Sequence, residues 1–358
     1  MESKIMNIKN LRQQIDRIDR SLVRLLNQRV RISLDISRFK RKVGKSAYSP
    51  DREIEVLERT SVANKGPLGR RALEGIYREI MSASLALDTP LRIAYFGPEA
   101  TFTHLAAMKR FGSQVEYISC HSIDDVFLEV ERDNADYGVI PVENSIEGAV
   151  NHTLDMLVDS ELKISTQIIL DISHNLLSRC KKEGIKRVYS NPHVFGQCRI
   201  WLKENLPHAE NIEVSSTTRA AQIASREKSS ACIASLLAAK IYALKVIAVH
   251  IEDSPHNITR FLVVGRNDVP RSGRDKTSVM FSIKDKVGAL YDILVSFKKY
   301  RINLTKIESR PSKKKAWDYY FFVDLDGHKD DTRVKKALGE VEHKTKFFKV
   351  LGSYPIAD

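Results

Sequence analysis

Near the start of this sequence an arginine interrupts an apolar seam, and its spacing to other cations outlines a surface for binding anions. Ile8, Leu11, Ile15, Ile18, Leu22 and Leu25 recur at alternating steps of three and four, the period of a helix with a coiled-coil-like stripe. Continuing the spacing reaches Arg29, then Ile32, Ile36 and Phe39. A cation at a seam position is costly unless an anion or carboxylate meets it. Lys40 lies eleven residues after Arg29, on nearly the same helix face and about 16 Å along it, so the two long arms can converge on a ligand. Arg12 precedes Arg29 by seventeen residues, about 25 Å along the axis, and reaches the same site only from a second subunit's helix. A solvated basic face, or one that meets an acidic partner protein, would use the same residues.

Three polar turns further along could also carry chemistry. Gly97-Pro98-Glu99-Ala100-Thr101-Phe102-Thr103-His104 follows a β-type run and opens a hydroxyl-rich helix entry. Helix N-termini attract carboxylates through free amides and the helix dipole. Val142-Glu143-Asn144-Ser145 ends another β-type run, and Thr259-Arg260-Phe261 precedes an apolar one. Each alone reads more readily as a structural turn than as a site.

The elements that must hold these residues follow from the pattern. Asn7 to Lys42 contains no Pro or Gly and predicts one long helix, stopped at Gly44. Ser49-Pro50-Asp51 reads as N-cap, first-turn proline and early acid, opening a second helix to about Ala63. After Asn64-Lys65-Gly66-Pro67, a third runs to Leu87. One helix is too long for these three to close a compact bundle, so a dimer is expected. Beyond Pro90, β-type runs at Leu91–Tyr95, Val115–Ser119 and Tyr137–Val142 alternate with helical ones, and Ser122 to Asp125 forms a capping box. The alternation resumes at Arg187–Ser190 and continues through Phe261–Val264; before it resumes, Lys163–Arg179 holds two β-like runs without a helix, a crossing to a second lobe. A cleft between lobes is where ligands usually sit. After the polar linker Asn267–Lys276, the runs Ser278–Ile283, Ala289–Tyr300, Leu304–Ser309, Tyr319–Leu325 and Thr332–Glu342 give a βαββα order, as in a ferredoxin-like module. The expected modules are 1–90, 91–267 and 275–358.

Composition narrows the class. The chain has 358 residues, enough for two or three domains, and a net charge of +13. Residues 1–90 hold 19 Lys+Arg against 11 Asp+Glu, most of that excess; nucleic acid and small polyanionic substrates are both compatible with it. The longest apolar run, near Ala231–Ala239, is too short to span a bilayer. Met1 to Asn10 lacks a signal-like apolar stretch. Cys120, Cys180, Cys198 and Cys232 are scattered, as suits reduced thiols in a cytosol. No histidine spacing supports a metal, and no GxGxxG follows a strand, so neither metal nor nicotinamide is expected.

The first module resembles the all-helical chorismate mutases. Leu11-Arg12, Asp19, Leu22, Leu25-Leu26, Arg29, Lys40, Pro50-Asp51-Arg52-Glu53 and Tyr77-Arg78-Glu79-Ile80-Met81-Ser82-Ala83-Ser84 carry the resemblance. It implies a domain-swapped helical dimer in which Arg12 of a partner, Arg29 and Arg52 bind the carboxylates of chorismate. Lys40 would meet the ether oxygen, Glu53 the substrate hydroxyl, and Ser84 would line the pocket. A Claisen rearrangement suits such a site, since it needs no nucleophile, only a folded substrate and cations where charge develops. Ser49 replaces an acidic residue of some members and is expected to act through its amide. Asp88 stands where the family often has Gln or Glu. A carboxylate donates only when protonated, so mutase activity is expected to rise toward acidic pH and to flatten in Asp88→Gln.

The middle module resembles prephenate dehydratase, with the segments Gly97–His104, Pro141–Ser145, Ser190-Asn191-Pro192-His193-Val194-Phe195-Gly196-Gln197-Cys198 and Thr259–Phe261 in the family's order. Ala100 and Asn191 replace the usual Gly and His. The family implies a two-lobed α/β fold like periplasmic binding proteins, with the active site in the cleft. Thr259 would contact the departing hydroxyl and Arg260 would position the loop or pair with a carboxylate. Glu143, Asn144, Ser145 and Gln197 would orient prephenate, and Thr101 with Thr103 would bind its side-chain carboxylate. Phe102 and Phe261 would give the ring carboxylate less polar surroundings. Val287-Gly288-Ala289-Leu290 and Glu308-Ser309-Arg310-Pro311 resemble the two motifs of ACT domains that pair and bind phenylalanine. The whole chain thus resembles the bifunctional chorismate mutase/prephenate dehydratases. Expected partners are chorismate, prephenate, phenylalanine and a second copy, with no cofactor, nucleic acid or membrane.

Overall fold

The computed structural model describes residues 2–43, 48–87, 90–254, 256–284, 286–312 and 318–356, with side chains from residue 8 onward. Gly44 and Asp88 lie outside them. The chain divides into two compact units: Met1–Ser49, Val56–Leu91 and Phe111–Glu116 form the first, the remaining residues the second.

Three helices open the chain: α1 (Glu2–Lys42), α2 (Pro50–Ala63) and α3 (Arg70–Ala86). In the first unit α1 packs on α3, while its seam remains open to water. Ile18 is 65% and Phe39 68% exposed, and Ile8, Leu11, Ile15, Leu22 and Leu25 are each at least half exposed. A continuous apolar stripe of this length in water marks an uncovered interface. On α3, Ser82 accepts from the amide of Gln114 (3.1 Å) and Glu79 from the hydroxyl of Ser113 (2.7 Å).

From Arg92 onward strands and helices alternate: β1 (Arg92–Phe96), α4 (Phe102–Phe111), β2 (Glu116–Cys120), α5 (Ile123–Glu131), β3 (Tyr137–Asn144), β4 (Gly148–Ala149), α6 (Asn151–Asp159) and β5 (Lys163–Asp171). The chain then crosses to β6 (Asn175–Ser178), β7 (Arg187–Ser190), α7 (Pro192–Gln197), α8 (Arg199–Asn205), β8 (Glu210–Glu213), α9 (Thr217–Ala224), β9 (Ser230–Ala234), α10 (Leu236–Ile241) and β10 (Lys245–Ala248). It returns through β11 (Ile258–Gly265). The sheets run β2-β1-β3-β11-β5 and β10-β6-β9-β7-β8, so β5→β6 and β10→β11 are the two passages between lobes. The Ser122 capping box is present, with Asp125 as its reciprocal partner.

The last module is β12 (Asp275–Ser282), α11 (Ala289–Lys299), β13 (Leu304–Pro311), β14 (Tyr319–Asp326), α12 (Thr332–Lys344) and β15 (Phe347–Pro355). Its sheet order is β13-β14-β12-β15. The sequence reading stopped at α12 and missed β15, which completes βαββαβ. One face of this sheet packs on α11 and α12 through Val279, Phe281, Val323 and Leu325. The other face, with Met280, Phe322, Leu351 and Tyr354, joins the core of the first dehydratase-like lobe around Ala94, Ile140 and Leu157. Strand β15 also lies against β5, so closely that a Cβ on Gly352 would sit 2.3 Å from the carbonyl oxygen of Ile164. Only glycine permits that approach.

Candidate active sites

The residues that gather at the passages between lobes form one hydrogen-bonded chain whose orientation is fixed from one end. Asn144 ends β3, and its side-chain oxygen accepts from the amides of Ile146 (2.9 Å) and Glu147 (3.1 Å). Its NH2 must therefore donate, and it does so to Asn257 Oδ1 and Thr259 Oγ1, both at 2.8 Å. Asn257 in turn donates to Gln197 Oε1 (2.9 Å), which also meets His174 Nε2 at 2.7 Å. An amide oxygen only accepts, so His174 carries its proton on Nε2. Two backbone amides thus set a tautomer at the far end of the network. What remains for a ligand is the hydroxyl hydrogen of Thr259 and the NH2 of Gln197, two donors that no described group engages. Thr259 is only 9% exposed.

Burial lowers the pKa of His174 below its ordinary 6.5, and its bond to Gln197 only partly offsets this. The fold therefore holds a neutral imidazole, edge-on to Phe102 at 5.7 Å between ring centres. His104 is also lowered by burial; its Nδ1 accepts from the amide of Ala100 at 3.2 Å. These depressed values contribute stability that is present above pH 6.5 and lost as pH falls through the folded values. The melting midpoint is expected to fall between pH 7 and pH 5, and to fall less in His174→Gln. Parallel curves for the two proteins would refute the assignment.

Ala100, which stands where the resemblance expects glycine, adopts a left-handed φ of 71°, a strain of roughly 1–2 kcal/mol for a residue with a Cβ. The turn is tied to the second lobe: Ser235 donates to Ala100 O (2.9 Å) and Thr218 to Glu99 O (3.0 Å). Thr103 is buried in the first turn of α4. Thr101 is spent locally, donating to Pro98 O (3.0 Å) and accepting from the amide of His104 (3.3 Å). Ser145 is likewise engaged, donating to His256 O (2.8 Å) and accepting from the amide of Ile258 (2.9 Å).

Glu143 and Arg260 are not brought together with the others. Successive strand residues point to opposite faces, so they lie behind Asn144 and Thr259, opposite each other in the β3–β11 register. Arg260 donates to Asp324 (2.5 Å) and Tyr354 (2.9 Å), and Glu143 pairs with Lys306 (2.9 Å). In this structure both side chains make contacts with the last module. Sequence reasoning missed Asn257 and His174. Asn257 was within reach, since it stands two residues before Thr259, just ahead of β11; His174 carried no signal beyond its place between two β-type runs.

In the helical unit, Arg29 donates to Ser84 Oγ (3.3 Å), which donates to Ile80 O (2.7 Å). Lys40 donates to Ser49 Oγ (2.5 Å). Ser49 makes no side-chain cap for α2; its hydroxyl faces Lys40, whereas only its amide was expected to act. Arg12 is exposed on α1. In the second unit, Arg52 pairs with Glu55, and Glu53 is buried with Arg110 at 3.3 Å.

In the last module Gly288 caps α11 with φ 78°, a conformation that glycine adopts freely. Ala289 and Leu290 begin that helix. Along β13 exposure alternates: Ser309 and Pro311 face solvent, while Glu308 and Arg310 turn inward. Arg310 pairs with Asp155 of α6, so within the expected phenylalanine motif it serves the neighbouring lobe. No group of His, Cys, Asp and Glu suited to a metal occurs among the described residues. No described helix is long and apolar enough to cross a membrane.

Comparison with known proteins agrees with these three modules. The chorismate mutase type II family matches residues 11–89, prephenate dehydratase 93–269 and the ACT domain 277–343. A bifunctional chorismate mutase/prephenate dehydratase of Aquifex aeolicus is 50% identical over 355 residues, 98% of each chain. One from Pseudomonas aeruginosa is 43% identical over 98% of each. Among solved structures, prephenate dehydratase in complex with L-Phe from Arthrobacter aurescens has a TM-score of 0.70 and 34% identity. It covers 75% of this chain and 91% of its own.

Proposed function

We infer that this chain, which belongs to the bifunctional chorismate mutase/prephenate dehydratase family, runs two consecutive steps and is restrained by the amino acid they lead to. The helical module rearranges chorismate to prephenate. The two-lobed module then converts prephenate to phenylpyruvate, carbon dioxide and water, and L-phenylalanine at the ACT module slows it. The modules are assigned as 1–90, 91–267 and 275–358.

The observation that carries the dehydratase reading is the oriented chain from Asn144 to His174. Because Asn144 donates to Thr259 Oγ1, the threonine hydroxyl is left to donate to the departing ring hydroxyl. Hydroxide leaves poorly, so a donor at that oxygen is the main requirement. Thr259 hands on a proton that solvent replaces, since its own pKa is far too high for a free-standing acid. Gln197 orients prephenate while Asn144 holds the Thr259 hydroxyl in place, and Thr103 at the head of α4 takes the substrate's side-chain carboxylate, with the amides that Thr101 organises. Phe102 and Phe261 shield the carboxylate that leaves as carbon dioxide.

For the mutase, Arg29 and Arg52 bind carboxylates, Lys40 stabilises charge on the ether oxygen, and Glu53 takes the ring hydroxyl; Ser84 and Ser49 hold Arg29 and Lys40. Arg12 acts in a partner's site. The open seam of α1 supports a homodimer, since a second copy of the same stripe would cover it along its length. Asp88 assists when protonated. Gly288, Ala289, Leu290, Ser309 and Pro311 form the phenylalanine site, with Glu308 and Arg310 behind it. The absence of cysteine pairing fits a cytoplasmic enzyme.

Incubating the protein with chorismate and following phenylpyruvate, with and without phenylalanine, tests all of this together. Chorismate loss without phenylpyruvate would defeat the dehydratase reading, and a rate indifferent to phenylalanine the regulatory one.

A further inference from the structure

The residues directly behind the dehydratase donors are held by side chains of the ACT module. Arg260 follows Thr259 on β11, and Glu143 precedes Asn144 on β3. Arg260 enters a closed ring of hydrogen bonds: its Nη2 donates to Tyr354 Oη (2.9 Å) and its Nη1 to Asp324 Oδ2 (2.5 Å). Tyr354 Oη lies 2.7 Å from Ser278 Oγ, which donates to Asp324 Oδ1 at 2.5 Å. With Ser278 donating to Asp324, Tyr354 must donate to Ser278, so each hydroxyl gives one bond and takes one. Asp324, Tyr354 and Ser278 sit on three different ACT strands and are all buried. Burial raises the phenol of Tyr354 well above its ordinary 10.0, so the proton that closes the ring stays in place. Beside the ring, Lys306 of β13 pairs with Glu143 at 2.9 Å.

The ring grips a loosely registered place. The β3–β11 ladder shifts register between Arg260 and Phe261, where Val142 has no partner. Such a bulge re-aims side chains and weakens the local ladder. A cavity of about 30 Å³ also borders Arg260, Lys306, Ser278 and Asp324.

We propose that Asp324, Tyr354, Ser278 and Lys306 are positioning residues of the dehydratase, setting Thr259 and Asn144 from behind through Arg260 and Glu143. The same strand that carries Lys306 exposes Ser309 and Pro311 on its other side. A ligand there moves β13, and the movement reaches the cleft through Lys306 and Glu143. This part rests on phenylalanine binding at the ACT module.

The test uses the full chain with Tyr354→Phe, which opens the ring by removing one hydroxyl, and Asp324→Asn, which removes its charge. The expected result is a fall in kcat for prephenate of about tenfold or more with little change in KM, since small misplacements of a donor act on the chemical step. The chorismate rate of the same preparation should stay at the wild-type level, and phenylalanine should inhibit the variants much less than the wild type. Should Asp324→Asn fail to fold, Tyr354→Phe decides. Wild-type kcat together with wild-type inhibition in Tyr354→Phe overturns the proposal, as does a change in KM alone. If phenylalanine leaves the wild type unaffected, the regulatory reading fails, while the kcat comparison still tests positioning.

Discussion

Replacing Thr259 with valine lowers phenylpyruvate formation by about 10²–10⁴-fold, the range for losing a positioned proton donor, while chorismate is consumed at the wild-type rate. Valine keeps the shape of the side chain, so the buried strand β11 is not emptied of volume. It removes both the donor to the departing hydroxyl and the acceptor of Asn144 (2.8 Å). Thr259→Ser restores the hydroxyl and should recover much of the rate, which a merely structural defect would not do. Parallel assays of prephenate and chorismate on one preparation check this. Dehydratase activity in Thr259→Val within a few-fold of wild type would remove Thr259 from the chemistry.

The second large effect belongs to the helical module. Lys40→Met is expected to slow chorismate rearrangement by about 10²–10³-fold, the typical loss for one donor aimed at developing charge. Methionine preserves most of the apolar stem, and phenylpyruvate formation from added prephenate should continue unchanged. Lys40 already has a fixed direction, since it donates to Ser49 Oγ at 2.5 Å. Ser49→Ala should therefore cost less than Lys40→Met and act through the same step. A mutase rate in Lys40→Met within twofold of wild type would show that charge at this position does not matter.

Much of this was legible in the sequence because the signals were local. The 3-and-4 spacing along α1, the Pro50 start of α2 and the Ser122 capping box each fix an element within a few residues. The crossing to a second lobe was visible in Lys163–Arg179 because two strand-like runs met with no helix between them. β15 was missed because Leu351 to Pro355 is buried on both faces, so the strand lacks the alternation that reveals a half-exposed one. The site was legible as motifs but not as faces. Glu143-Asn144 and Thr259-Arg260 are adjacent pairs, and one of each pair must point away from the cleft. Which one depends on the register between β3 and β11 and on the module packed behind them, both set by residues far away in sequence.

The shared core has a consequence for how the chain is made. Met280, Phe322, Leu351 and Tyr354 complete a core begun by Ala94, Ile140 and Leu157, yet they follow the earlier buried residues of that core by many positions in the chain. At about 5–20 residues per second, the apolar face of the first lobe waits on the order of ten seconds for β12 to β15. During that interval the edge strand β5 is also uncovered, an open template for pairing with other chains. Nascent protein is therefore open to misassembly until β15 has emerged, and the dehydratase core closes only then. The regulatory module is in this sense also the closing piece of the catalytic fold.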